Sequence, residues 1–186
     1  MKTYISILRG INVSGKNIIK MEALKEMYTD LGFRKVTTYI QSGNVIFQSS
    51  QPDAMLVSDL ITSGIVSRFA LKVPVLVLHY NEFQAVLSNN PFLETAGVDI
   101  SKLHITFLSG IPGLTNVEAL KNTSCLPDEF VLSERAVYLM CPDGYGNTKL
   151  TNSYFENKLK VTATTRNVRT SNELLRIAGL TDTDEG

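Results

Sequence analysis

The chain has 186 residues, 44% of them hydrophobic and 19% charged. That balance excludes a disordered or low-complexity chain and gives one generous domain or two small ones. Lysine plus arginine number 18, as do aspartate plus glutamate, so the formal net charge is zero; this argues against a dedicated nucleic-acid binder, which needs a basic surplus against phosphates, while leaving room for a local basic patch. Two cysteines (Cys125, Cys141) and two histidines (His79, His104) are too few for a disulfide framework or a Cys/His zinc site. The longest apolar stretch, Val73 to Leu78 with Pro74 inside it, is too short to span a bilayer. The N-terminus passes directly into a strand pattern without a signal-peptide pattern, so the cytoplasm is the expected compartment.

In chain order, Tyr4, Ile5, Ile7 and Leu8 form a short apolar run stopped by Gly10, which reads as a strand. A polar loop over 12–17 follows. Met21, Leu24, Met27, Tyr28 and Leu31 then recur at helical spacing, with Gly32 as the stop. Residues 36–40 read as a strand, Ser42-Gly43-Asn44 as a turn, and Val45-Ile46-Phe47 as the returning strand. Pro52-Asp53 opens a second helix whose expected apolar face is Leu56, Val57, Leu60, Ile61, Ile65 and Phe69. A strand over 72–78 closes the unit. The order is β-α-β-β-α-β, the pattern of ferredoxin-like domains.

The second half repeats the first. Ile5 to Ile11 is echoed by Ile105 to Ile111, and Glu22-Ala23-Leu24-Lys25 recurs as Glu118-Ala119-Leu120-Lys121. Phe130-Val131-Leu132, a turn at Ser133-Glu134-Arg135 and Val137-Tyr138-Leu139 match the first hairpin. A helix carrying Tyr154, Phe155 and Leu159 and a strand over 161–165 complete the copy. Echoes in the same order at nearly constant separation support a duplication. The expected fold is therefore α+β: a tandem ferredoxin-like duplication with antiparallel sheets. The first repeat spans 1–90, a connector 91–101 and the second repeat 102–186. A short helix follows each copy, marked by Phe83, Val86 and Leu87 and by Leu174, Leu175 and Ile177, the latter with Thr170 and Glu173 as a capping box.

Three polar motifs carry the chemistry. Gly10 and Gly15-Lys16 have the spacing of a phosphate-binding Walker loop, but Asn17 stands where the magnesium-binding Ser or Thr belongs, and an antiparallel unit is the wrong setting. An anion held by loop N–H groups and Lys16 is the weaker relative of that motif. In a β-α-β-β-α-β unit the hairpin tip at Ser42-Gly43-Asn44 lies beside the end of the first strand, so Ser42 and Asn44 converge with Arg9, Asn12 and Lys16. The second repeat has Ser109 and Pro112 in the matching places. Arg166 and Asn167 end the last strand before a helix, a setting that suits an anion, and the loop carrying Lys149 lies at the same end. If the two ends face one another, Arg9, Lys16, Arg166 and Lys149 form one composite cleft for a small anionic ligand. The sequence requires no cofactor, no metal and no membrane. The motifs name a pocket but no reaction and no oligomeric state. A nucleic-acid-associated protein and a structural or dimerising module are the alternatives. Leu8 and Val45 are expected in the core, and Cys141 is expected to be a buried thiol.

Arg9-Gly10-Ile11-Asn12-Val13 with Gly15-Lys16-Asn17, Tyr39 to Val45, and Thr165-Arg166-Asn167 followed by Thr170 together resemble the mostly bacterial domain-of-unknown-function family numbered sixteen-ninety-seven. The resemblance covers nearly the whole chain. It implies a two-repeat α/β fold in a small cytoplasmic protein and transfers no catalytic residue.

Overall fold

A computed structural model describes residues 1–121 and 123–183, apart from the side chains of Ala119, Lys121 and Thr183; two members of the echoed tetrapeptide thus lie outside the described side chains. The chain divides into two compact units, one of residues 1–84 with 173–186 and the other of residues 85–172. The described residues form six α-helices and two four-stranded antiparallel sheets.

Strand β1 (Lys2–Leu8), helix α1 (Met21–Asp30), strands β2 (Arg34–Tyr39) and β3 (Asn44–Ser49), helix α2 (Ala54–Phe69) and strand β4 (Val75–His79) follow one another, and α3 (Tyr80–Ser88) comes next. The sheet order is β2-β3-β1-β4. Helix α1 ends as its glycine predicts, with Gly32 at φ +86°. Asp53 caps α2 by accepting a hydrogen bond from the Met55 N–H at 2.8 Å. The face that α2 buries is narrower than its composition implies. Val57, Ile61 and Ile65, four residues apart, are buried, whereas Leu56 and Leu60 are exposed.

The second set is β5 (Leu103–Leu108), α4 (Leu114–Lys121), β6 (Glu129–Leu132), β7 (Ala136–Met140), α5 (Asn152–Leu159), β8 (Ala163–Asn167) and α6 (Val168–Thr183), with sheet order β6-β7-β5-β8. Two 3-10 turns, Pro91–Glu94 and Ile100–Lys102, fill the connecting stretch. Helix α6 is not short: it runs for 16 residues. Its cap also differs from expectation. The Asn167 side chain accepts from the Thr170 N–H at 2.7 Å, which places Thr170 inside the first turn rather than at the cap.

The first core joins Tyr4, Leu8, Val45, Phe47 and Val77 from the sheet to Leu24, Met27, Tyr28, Val57 and Ile61 from the helices. Phe47 stacks with Tyr4 at 5.7 Å and meets Phe33 at 4.6 Å. A buried hydroxyl pair in this core is satisfied internally, Ser6 Oγ lying 2.8 Å from Tyr28 Oη. The second core gathers Leu108, Val137, Leu139, Phe155 and Leu159. Leu8 and Val45 are fully buried, as expected. The opposite sheet faces are buried as well, through Ile5, Ile7, Ile46 and Leu78 in one unit and Ile105 and Phe107 in the other. This is why β1 reads as a nearly continuous apolar run rather than an alternating one.

Candidate functional site

Strand β3 begins at Asn44 opposite Ile7, so the β2–β3 hairpin and the loop after β1 meet at one end of the first sheet. The junction is tied by the backbone: Leu8 N–H donates to Gly43 O at 2.8 Å and Arg9 N–H to Pro74 O at 3.0 Å. Beyond it the loop folds back on itself. Asn12 N–H donates to Asn17 O at 3.2 Å and Lys16 N–H to Val13 O at 2.9 Å. Gly10, Asn12, Ser14, Gly15 and Asn17 all take the left-handed conformation, which glycine and asparagine tolerate best.

The asparagines hold that geometry. Asn12 Oδ1 accepts from Ile19 N–H at 2.8 Å, and its Nδ2 donates to Ile19 O and to Gln41 O, each at 2.9 Å, clamping the loop to the hairpin. Asn17 Nδ2 donates to Gly10 O at 2.9 Å. Asn44 is 0% exposed and donates to Tyr39 O at 3.2 Å and to Ser42 Oγ at 2.9 Å. Gly43, at φ +75°, lies against the sheet so closely that a Cβ there would sit 2.7 Å from Leu8 Cβ and 2.8 Å from Ile11 Cδ1. The structure therefore brings Arg9, Asn12, Ser42 and Asn44 together, with Lys16 on the same loop. It builds the Asn12 and Asn44 amides into the frame. Arg9, half-buried, and Lys16, exposed, are the cations that the frame carries. Val13, Ile18 and Ile40 are exposed on the same loops. Helix α1 starts only at Met21, and the residue before it makes no side-chain cap, so the loop is not a Walker loop.

In the second unit, Arg166 lies opposite Ile105 and donates from Nη1 to Thr165 O at 2.9 Å. Burial pulls its pKa down to about 10, opposed by the nearby Tyr145 hydroxyl. The Tyr145 ring stacks on His104 at 5.0 Å, and its hydroxyl donates to Thr165 Oγ1 at 3.0 Å. Thr165 Oγ1 in turn donates to Asn152 Oδ1 at 2.7 Å and lies 2.7 Å from Thr106 Oγ1. The 144–149 loop thus does reach the strand that carries Arg166. Lys149, however, lines a small pocket of about 230 Å3 together with Asp128 and Asp143. Asn167 is engaged as the α6 cap.

Nucleophilic chemistry finds little support. Burial, and then the charge of Asp128, push the Cys141 thiol up to about 11, despite a hydrogen bond from Thr148 that works the other way. His104 is held below its ordinary value by burial. Among the described residues no three His, Cys, Asp or Glu side chains gather closely enough to hold a metal ion. No described helix is long and apolar enough to cross a membrane.

Sequence reasoning missed a groove of about 880 Å3 in the second unit, between α4 and β6. Ile111, Leu114, Leu126, Phe130 and Leu132 supply its apolar lining. The available signal was apolar residues at loop positions, Ile111 before Pro112 and Leu126 before Pro127, where turns normally carry polar side chains.

A family model described as Protein of unknown function (DUF1697) matches residues 1–138. Among solved structures, the chain is similar to the conserved bacterial protein SP0830 from Streptococcus pneumoniae, with a TM-score of 0.74 and 24% sequence identity over 95% of this chain and 98% of that one. That likeness concerns the fold. No curated protein matches the chain.

Proposed function

This chain belongs to the family described as Protein of unknown function (DUF1697), and we propose that it binds a small polar or anionic ligand through Arg9 and Lys16 on the loop frame at the end of β1. The observation that carries the reading is the clamped left-handed loop, in which Gly10, Asn12, Ser14, Gly15 and Asn17 recur within one short segment and Asn12 fastens both its ends. Loops of this kind turn backbone N–H groups toward a common concavity, which favours an anion; the N–H groups of Asn12 and Lys16 are engaged within the loop, so the cationic side chains of Arg9 and Lys16 carry most of the attraction. A frame held before the ligand arrives lowers the ordering cost of binding. Ser42 supplies a hydroxyl beside that frame. Arg166, Lys149 and Asn167 carry the matching proposal for the second unit.

The same proposal includes a ferredoxin-like origin for each unit by duplication, in a bacterial cytoplasmic protein. The repeated element order supports it, as do two repeated hydrogen bonds. Leu108 N–H donates to Arg135 O at 3.0 Å as Leu8 does to Gly43, and Ser109 N–H to Thr162 O at 2.9 Å as Arg9 does to Pro74. A nucleic-acid reading would use exposed aromatic rings on a sheet face; the aliphatic side chains there are buried, which favours the small-ligand reading.

Thermal melts with inorganic phosphate, pyrophosphate and ATP, against sodium chloride at equal ionic strength, test it. A specific anion should raise the melting temperature, equivalent to about 2.7 kcal/mol at a hundred times its dissociation constant. The gain should shrink in the Arg9→Ala, Lys16→Ala double variant. Arg166→Ala reports whether the second unit shares the ligand. No rise with any of the three anions, or a rise undiminished in the double variant, overturns the proposal.

A further inference from the structure

The two sheets end in edge strands of different character. In the first unit the edge strand β2 is protected: its register with β3 shifts between Arg34 and Thr37, Lys35 sits there at φ +48°, and Arg34 and Lys35 are both exposed. Bulges and charges are how sheet edges avoid pairing with other chains. In the second unit the edge strand β6 pairs with β7 in unbroken register from Glu129↔Met140 to Leu132↔Val137. No strand pairs with its other side among the described residues. Ser133 N–H donates to Ala136 O at 2.8 Å. Antiparallel pairs alternate, so residues 131 and 129 share that orientation toward β7, and the backbone N–H and C=O of Phe130 and Leu132 point away from the sheet.

That open edge borders the α4–β6 groove. Leu114 is 83% exposed and Leu126 79%, while Ile111 is also largely exposed. Contiguous exposure on this scale marks an interaction surface. The charged side chains lining the groove are Asp128, Glu129 and Glu134, all acidic, among the described residues. An open edge, an apolar trough beside it and a rim of one sign together select one kind of occupant. We propose that β6 accepts an extended segment of another protein as an added strand. That segment carries apolar residues at alternate positions, which enter the groove, and lysine or arginine between them, which meet the acidic rim. This site is independent of the anion-binding loop of the first unit.

The test uses the full chain, labelled with nitrogen-15, and two short synthetic peptides, one alternating lysine with valine and the other glutamate with valine. The lysine–valine peptide should bind saturably and at least roughly tenfold more tightly than its acidic counterpart, tenfold being a modest share of a typical affinity range. On binding, amide hydrogen exchange should slow at Phe130 and Leu132 specifically. A Leu114→Ser, Leu126→Ser double variant should weaken binding with an unchanged melting temperature, because both side chains are already in solvent. Glu129→Lys with Glu134→Lys should reverse the preference between the peptides. Absence of saturable binding, equal affinity for both peptides, or binding without protection at Phe130 and Leu132 overturns the proposal, the last because a helical or disordered occupant leaves the strand edge open.

Discussion

Gly43 in the first unit and Arg135 in the second occupy equivalent places, each accepting the N–H of the residue that ends the first strand of its sheet. Three residues after that strand end stand Ile11 and Ile111. Ile11 is 1% exposed and Ile111 is 66% exposed. With no side chain at Gly43, Ile11 rests directly on the hairpin backbone. Arg135 instead carries a long side chain, which donates from Nη2 to Ser109 O at 3.2 Å. The connections differ too. The long loop 9–20 adds Ile11 and Ile19 to the first core, whereas the short link 109–113 reaches α4 directly. Helix α1 accordingly packs along β2, and a groove separates α4 from β6. One strand order can thus be sealed or left open by the first loop and a single hairpin residue.

The severest way to break this contrast is to give the first hairpin a side chain. Gly43→Val should cost about 3 kcal/mol or more, through overpacking against Leu8 and Ile11 and a left-handed backbone that a β-branched residue resists; urea denaturation reads it, and a cost near zero would mean the hairpin moves freely. Next, the paired truncations Ile11→Ala and Ile111→Ala should diverge. The first should cost about 2–4 kcal/mol, and the second should stay within about 0.5 kcal/mol of the parent. Equal costs by the same measurement would show the two isoleucines to be equivalently packed.

The smallest expected effect concerns the equivalent pair Tyr4 and His104, aromatic groups on the first strand of each sheet. Burial holds the His104 pKa below its ordinary value, so the unfolded chain binds a proton there before the folded chain does. Stability should therefore fall modestly as pH drops below the ordinary histidine range near 6.5, and stop falling once the folded form also protonates. Urea midpoints of the parent and of His104→Gln at neutral and mildly acid pH measure it. An identical pH dependence in both proteins would assign the effect elsewhere.

In the first unit the order of elements was readable because several apolar runs are bounded by a glycine in a left-handed backbone, as at Gly10, Gly32 and Gly43. The convergence of Arg9 with Ser42 and Asn44 followed from strand order alone. The roles of the asparagines did not. Asn12 and Asn44 are of the type that lines polar pockets, yet their amides are spent on backbone carbonyls and amides nearby, a use that depends on which groups the fold leaves unsatisfied. The length of α6 was hidden because the apolar positions read for it, Leu174, Leu175 and Ile177, span about one turn; Gly179 lies inside the helix and allows close approach of the Tyr80 hydroxyl, 3.3 Å from where a Cβ would stand. The groove escaped notice because the pattern repeat invites the assumption that Ile111 packs like Ile11.

Residues 173–186 belong with residues 1–84, and Gln48 Nε2 donates to Thr181 O at 3.1 Å within that unit. Both groups are buried, and they are separated by most of the chain. On a ribosome, which adds residues in order from the N-terminus, the first unit begins to be made before the second yet cannot be completed until α6 emerges. A nascent chain stopped before α6 holds Gln48 without this carbonyl. The unit that is begun before the other is therefore finished after it, and it awaits α6 through the whole synthesis of the other.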